Sequence, residues 1–250
     1  MDWYRSFQEL AENEPEGLAW SRKYVARGSR VLVMAPHGGW IEPFTCDLAA
    51  LIAGEEFSFY AFRGLGTPGG SSLHLTSHRF DEPTALQAAA EAERVVAIHG
   101  EGSRDRPFVM VGGLWRRFCR EVAGALTEAG FPVEEPRPGL GGKNLLNVCN
   151  RGGRGGGGQL EISENLRRGL RKDEGTRARF VEVIRGVLLD LESAGAPGDR
   201  HRPNPRATEG SGPAATSGGG TPRSWRTWER PTREGGGPQP PARSRPGAPP

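Results

Sequence analysis

Cysteine is scarce in this chain of 250 residues: Cys46, Cys119 and Cys149 stand far apart, with no CxxC pair. That excludes a framework of paired cysteines, and an odd count with no signal peptide points to a reducing compartment. The opening stretch, MDWYRSFQEL, has no basic region followed by an apolar one, so export by the general secretory route is not expected. No apolar run approaches the roughly 18 residues that cross a bilayer, which excludes a membrane-spanning helix. A cytoplasmic, monomeric protein with no membrane partner is the expectation. Apolar residues are few overall, at 35%, and the deficit is concentrated at one end. From about Ser193 onward the chain is Gly, Pro, Arg, Ser and Thr. Such a stretch buries too little apolar area to offset its ordering entropy, so residues 193–250 are expected to be a disordered tail. Charge divides the same way: the tail holds nine Arg and four acids, net +5, and residues 1–192 hold 24 basic and 26 acidic residues, net −2. The basic pI of 9.0 therefore belongs to the tail and says little about the substrate of the rest.

Residues 1–192 carry all of the periodic sequence and are expected to form one domain. Trp3, Phe7 and Leu10 sit at helical spacing. RVLVMAP (30–36) is a continuous apolar run, the mark of a buried strand. EPFTCDLAALIAG (42–54) reads as a helix, with Pro43 at its start and Gly54 at its end. FSFYAF (57–62) is an aromatic strand and SSLHLTS (71–77) a shorter extended piece. Pro83 opens an Ala-rich helix. RVVAIHG (94–100) and PFVMVGG (107–113) are apolar strands. In 114–130, Leu114, Phe118, Val122 and Leu126 recur every four residues before Gly130 stops the helix. FPVEEP is a short edge strand, 139–158 a Gly-rich loop, and QLEIS (159–163) a strand ending in Ser163, a fair helix cap. Residues 177–193 form a closing amphipathic helix. Strands alternating with helices predict an α/β fold: a single open sheet, mostly parallel or mixed, flanked by helices.

Ligands of such sheets bind beyond the carboxyl ends of the strands. His37 ends VLVMAPH and His99 ends RVVAIH, and both are followed by Gly. Glu42, five residues after His37, can turn its carboxylate back to the same spot. Two imidazoles and a carboxylate are the common catalytic zinc set, with one position left for water. A second carboxylate must then take the proton from that water. Glu161 sits between Leu160 and Ile162, so if those two face the core, Glu161 faces a cleft. Each residue also has an ordinary reading: a hydrogen-bonded loop histidine, a Glu complementing a helix dipole, a solvated strand Glu.

Seven blocks in fixed order, VLVMAPHGGWIEPFTCDLA, FSFYAFRGLG, LHLTSHRFDEP, VVAIHG, VGGL, NVCNRG and QLEIS, span residues 31–163. Together they resemble the phage-type poly-γ-glutamate hydrolases. The resemblance implies a zinc carboxypeptidase-like open α/β fold and zinc-dependent cleavage of γ-glutamyl amide bonds in poly-γ-glutamate. By motif match it implies Zn2+ held by His37, Glu42 and His99, with Glu161 as the catalytic glutamate. The segments GTPGGSS (66–72) and GGRGGGG (152–158) and the extra His78 depart from the family pattern and leave those four residues intact.

A polyanionic substrate needs cations, and Arg63, Lys143, Arg151 and Arg154 lie in predicted loops. Arg151 is the first choice, because NVCNRG belongs to the resemblance, and Arg63 the second. His74 in LHLTS is a candidate for a substrate contact or for support of the metal ligands. GGKN and GGRGGGG lack the GK[ST] ending of a phosphate-binding loop, and Cys149 has no partner His that would make it a nucleophile. Two other functions stay open: hydrolysis of a different amide, and a nucleic-acid-associated role in which the basic tail binds phosphates weakly.

Overall fold

The computed structural model describes residues 2–66 and 73–194. Among them the chain runs α1 (Phe7–Asn13), β1 (Trp20–Val25), β2 (Val31–Gly39), α2 (Thr45–Ala53), β3 (Ser58–Gly64), α3 (Pro83–Glu91), β4 (Arg94–Glu101), β5 (Val109–Gly113), α4 (Arg116–Glu128), β6 (Val133–Glu134), β7 (Gly158–Ser163), α5 (Glu164–Lys172) and α6 (Glu174–Ala194). A short 3-10 turn, Val148–Asn150, precedes β7. The strands form one mixed sheet in the order β1-β3-β2-β4-β7-β5-β6. β3, β2, β4 and β7 run parallel. β1 is antiparallel to β3 and β5 antiparallel to β7, while the two-residue β6 edges β5 in parallel. This is the open α/β sheet flanked by helices that the alternating elements predict.

The apolar runs of the sequence become the central strands because both faces of those strands are covered. Side chains alternate across the sheet. Leu32 and Met34 of β2, Tyr60 and Phe62 of β3, and Val95 and Ala97 of β4 share one core cluster with Phe7, Leu10, Phe80 and Ala85, Ala88 and Ala89 of α3. Trp20 stacks on Phe62 with ring centroids 5.2 Å apart, and Phe7 meets Trp20 edge-on at 5.2 Å. On the other face α2 packs across β2, β3 and β4, and α6 lies over α2, α4 and α5.

The structure departs from the sequence pattern in several places. β1 is an edge strand that the pattern of WSRKYV hides, because only Trp20 in it is fully buried. No described residue of 71–77 lies in a strand; Leu73 and Leu75 are buried, but that backbone crosses over the site instead of pairing with the sheet. α2 begins at Thr45 and not at Glu42. α5 is a separate helix that the periodicity does not mark, though Ser163 caps it as expected, its hydroxyl accepting from the Leu166 N–H. The closing helix α6 runs to Ala194, two residues into the expected tail; the rest of that tail lies outside the described residues. Among the described residues no helix is long and apolar enough to cross a membrane.

Candidate active site

β2, β4 and β7 are neighbours in the sheet and parallel, so their carboxyl ends lie side by side. His37, His99 and Glu161 sit at those ends, and His99 is the direct register partner of Glu161. Glu42 reaches the same point through a tight turn. Its N–H donates to the His37 carbonyl at 2.8 Å, and its own carbonyl accepts from the Thr45 hydroxyl at 2.8 Å. The turn ends at Phe44, the one non-glycine among the described residues with a left-handed backbone (φ 76°), a conformation that costs on the order of 1–3 kcal/mol and is retained where the surroundings over-determine it.

Both imidazoles are buried, at 1% and 2% exposure. His37 Nε2 lies 2.7 Å from the Leu75 carbonyl. A carbonyl only accepts, so this nitrogen carries the proton and Nδ1 of the neutral ring keeps a lone pair. His37 Nδ1 lies 3.2 Å from His99 Nδ1 and 3.2 Å from Glu42 Oε1. His99 turns its Nε2 toward the Ser77 hydroxyl at 3.4 Å. Glu42 Oε2 accepts the Gly100 N–H at 2.8 Å and lies 3.7 Å from His99 Nδ1. The three potential ligand atoms all fall within 4.8 Å of one another. Burial alone would raise the Glu42 carboxyl, but the His37 and His99 imidazoles outweigh it and hold Glu42 well below the usual carboxylate range. Burial works to lower His99, and Glu161 and Glu42 reverse that and raise it.

The His37 lone pair, His99 Nδ1 and a carboxylate crowded into one buried spot need a proton or a cation between them. The donor set can hold a divalent ion of the zinc type: two imidazole nitrogens and one carboxylate, each ring oriented through its other nitrogen.

Glu161 is 8% exposed. Burial pushes its carboxyl up, from an ordinary 4.5 to about 7, with His99 opposing and Glu42 and Glu101 adding to the rise. Its Oε1 accepts from Gln159 Nε2 at 3.0 Å. The Gln159 amide is itself fixed, because its Oε1 accepts from Asn147 Nδ2 at 3.0 Å. These groups line a cavity of about 390 Å³.

A family model described as poly-gamma-glutamate hydrolase matches residues 4–182. The chain belongs to the poly-gamma-glutamate hydrolase family. It is 40% identical over 169 residues to the SPbeta prophage-derived UPF0714 protein YoqZ of Bacillus subtilis (strain 168), covering 67% of this chain and 61% of that relative's length. A solved bacteriophage poly-gamma-glutamate hydrolase superposes with a TM-score of 0.72 at 27% identity, over 78% of this chain and all of that one. A zinc-free apo form of YndL superposes with a TM-score of 0.71 at 33% identity, over 76% of this chain and 99% of that one.

The other residues singled out in this poly-gamma-glutamate hydrolase family member fall out unevenly. His74 lines the cavity, its ring 4.3 Å from that of His37 and its Nδ1 2.9 Å from Asp2 Oδ1. Asp2 also takes the Thr76 N–H and hydroxyl, so the His74 segment is tied down from the amino-terminal end of the chain. Burial, with His37 nearby, lowers His74. Arg63 and Arg151 are not among the cavity-lining residues. Arg63 lies on β3 opposite Ser21, and Arg151 turns its Nε back to the Leu146 carbonyl at 3.1 Å. Lys143 and His78 do line the cavity.

Arg167 is the residue that sequence reasoning misses. It is 4% exposed and donates to three carbonyls: Ile162 at 3.0 Å, Pro43 at 2.8 Å and Glu101 at 3.1 Å. Ile162 follows Glu161, Pro43 follows Glu42, and Glu101 lies two residues after His99. One guanidinium thus ties together the three chain segments that carry these groups. Gly100 makes room for it: a Cβ there would lie 2.4 Å from Arg167 Cζ. The signal was present in the sequence, since Arg167 falls at helical spacing between Ser163 and Leu170, beside Leu166, on the helix face that is buried.

Proposed function

We propose that this chain is a zinc-dependent hydrolase of the γ-glutamyl amide bonds of poly-γ-glutamate. The observation that carries it is the opposed pair of His37 and His99 Nδ1 atoms beside the Glu42 carboxylate, in one cavity with a carboxyl raised to about 7. Family membership and the likeness to a bacteriophage poly-gamma-glutamate hydrolase support the substrate. The zinc-free YndL structure supports the metal.

His37, Glu42 and His99 would hold the ion. Zinc bound there supplies Lewis acidity, acidifying a water and polarising the scissile carbonyl. Glu161 takes a proton from the attacking water, whose oxygen bonds to the γ-carbonyl carbon. The C–N bond breaks as the same proton passes to the departing α-amine; the new γ-carboxyl gives up the water's second proton to that amine, leaving a γ-carboxylate and an ammonium group. Gln159, donating to Oε1, holds Glu161 so that its Oε2 does this work. The Leu75 carbonyl and Ser77 keep the two imidazoles turned inward.

The test monitors release of amino groups from poly-γ-glutamate by the zinc-loaded protein. Glu161→Gln is expected to lower kcat by about 100-fold or more with the bound metal retained. Undiminished turnover in that variant, or none in the wild type, overturns the proposal.

A further inference from the structure

The cavity has a charge problem. Glu42, Glu101 and Glu161 all line it, and a γ-linked glutamate polymer carries a free α-carboxylate on every unit. Even with a divalent ion in place, units on either side of the scissile bond meet acidic walls. Among the described residues, Lys143 alone of the lysines and arginines lines the cavity. The other nearby cations are engaged elsewhere. Arg137 pairs with Glu101 at 3.3 Å and Glu134 at 3.9 Å. Arg167 is turned to three carbonyls beneath the site.

Lys143 is exposed, yet its backbone is clamped on both sides. The Leu140 carbonyl accepts from Gln159 Nε2 at 2.8 Å, and the Gly141 carbonyl from the Gly113 N–H at 2.9 Å. Asn150 Nδ2 donates to the carbonyls of Gly142 at 2.8 Å and Asn144 at 2.9 Å. Gln159 and Asn150 are themselves buried. Gly142 holds a left-handed φ of 61° and presses on the Gln159 amide, where a Cβ would lie 2.7 Å from Cδ. The Lys143 stem lies along Gly141, within 4 Å of where a Cβ would stand. Its ammonium makes no ion pair among the described residues. A fixed backbone carrying an uncommitted ammonium at an acidic cavity is the arrangement for meeting an anionic ligand. One further link sets the register: the Gln159 amide that holds the Leu140 carbonyl also donates to Glu161. The loop backbone that carries Lys143 and the proton acceptor are thereby held by one amide.

We propose that Lys143 is a specificity-determining residue whose ammonium receives the free α-carboxylate of a γ-glutamyl unit beside the scissile amide. This rests on the poly-γ-glutamate hydrolase proposal. A lysine suits the task, because a point charge accepts a carboxylate from several directions as a flexible polymer enters.

The experiment compares kcat/KM on two γ-glutamyl oligomers of equal length, one with free α-carboxylates and one with α-carboxamides. Zinc content is checked in each protein. The wild type is expected to prefer the carboxylate oligomer by about 5-fold, the upper range for a solvent-accessible ion pair. Lys143→Met is expected to lose that preference and Lys143→Arg to keep it. A preference that survives in Lys143→Met, or is missing in the wild type, overturns the inference and leaves the hydrolase proposal standing. Cleavage of neither oligomer by the wild type refutes the hydrolase proposal, and this inference with it.

Discussion

His37 and His99 face each other through their Nδ1 atoms at 3.2 Å, while the remaining nitrogen of each ring is turned to a protein oxygen. Neutral imidazoles do not approach in this way without a proton or a cation between them. The Glu42 carboxylate on the same side makes a divalent ion the natural occupant.

The raised Glu161 carboxyl gives the metal-free protein a distinctive pH response. Its folded-state value, about 7, lies above the ordinary 4.5, so between those values the folded state binds more protons than the unfolded chain. Stability therefore falls as pH rises from about 4.5 to about 7. Glu161→Gln removes the titrating group. Denaturant unfolding of the metal-free proteins at pH 5 and pH 8 should show wild type losing about 1–3 kcal/mol more than the variant across that interval. Equal losses would mean that the carboxyl is not held neutral by its surroundings.

Arg167 should be costly to lose. Arg167→Met strips donors from three carbonyls next to the site and removes a cation facing Glu42, Glu101, Glu161 and Glu164. A destabilisation of about 3–5 kcal/mol is expected. Gly100→Ala intrudes on the same guanidinium, so the two substitutions should be strongly non-additive in a double-mutant cycle. Additive effects would show that Gly100 and Arg167 do not act through one contact.

The central sheet is legible in the sequence because VLVMAP and VVAI are short, β-branched-rich apolar runs, the pattern of strands covered on both faces. A titratable residue directly after such a run, His37 or His99, is then placed at a strand end by the run itself. Alternation alone sets Glu161 apart from Leu160 and Ile162. Glu42 is less legible: its return to His37 depends on a turn ending in a left-handed Phe44, which no helix-start rule foresees. LHLTS misleads because alternating Leu73 and Leu75 mimic a strand, whereas their burial comes from packing under an irregular segment tied to Asp2. That Lys143 lines the cavity and Arg151 does not is visible only in three dimensions, since Gln159 and Asn150, and not sequence spacing, hold the Lys143 loop there. Arg167 was legible in principle, as a charge at helical spacing between Ser163 and Leu170.

Metal analysis of the purified protein is the most direct measurement. Full-length protein is loaded with zinc, freed of excess by gel filtration, and compared with His99→Ala and His74→Ala treated identically. The expected result is about one zinc per chain in the wild type and in His74→Ala, and almost none in His99→Ala. Zinc retained at the wild-type level in a folded His99→Ala variant, or absent from the wild type, would contradict a metal centre built on His37, Glu42 and His99.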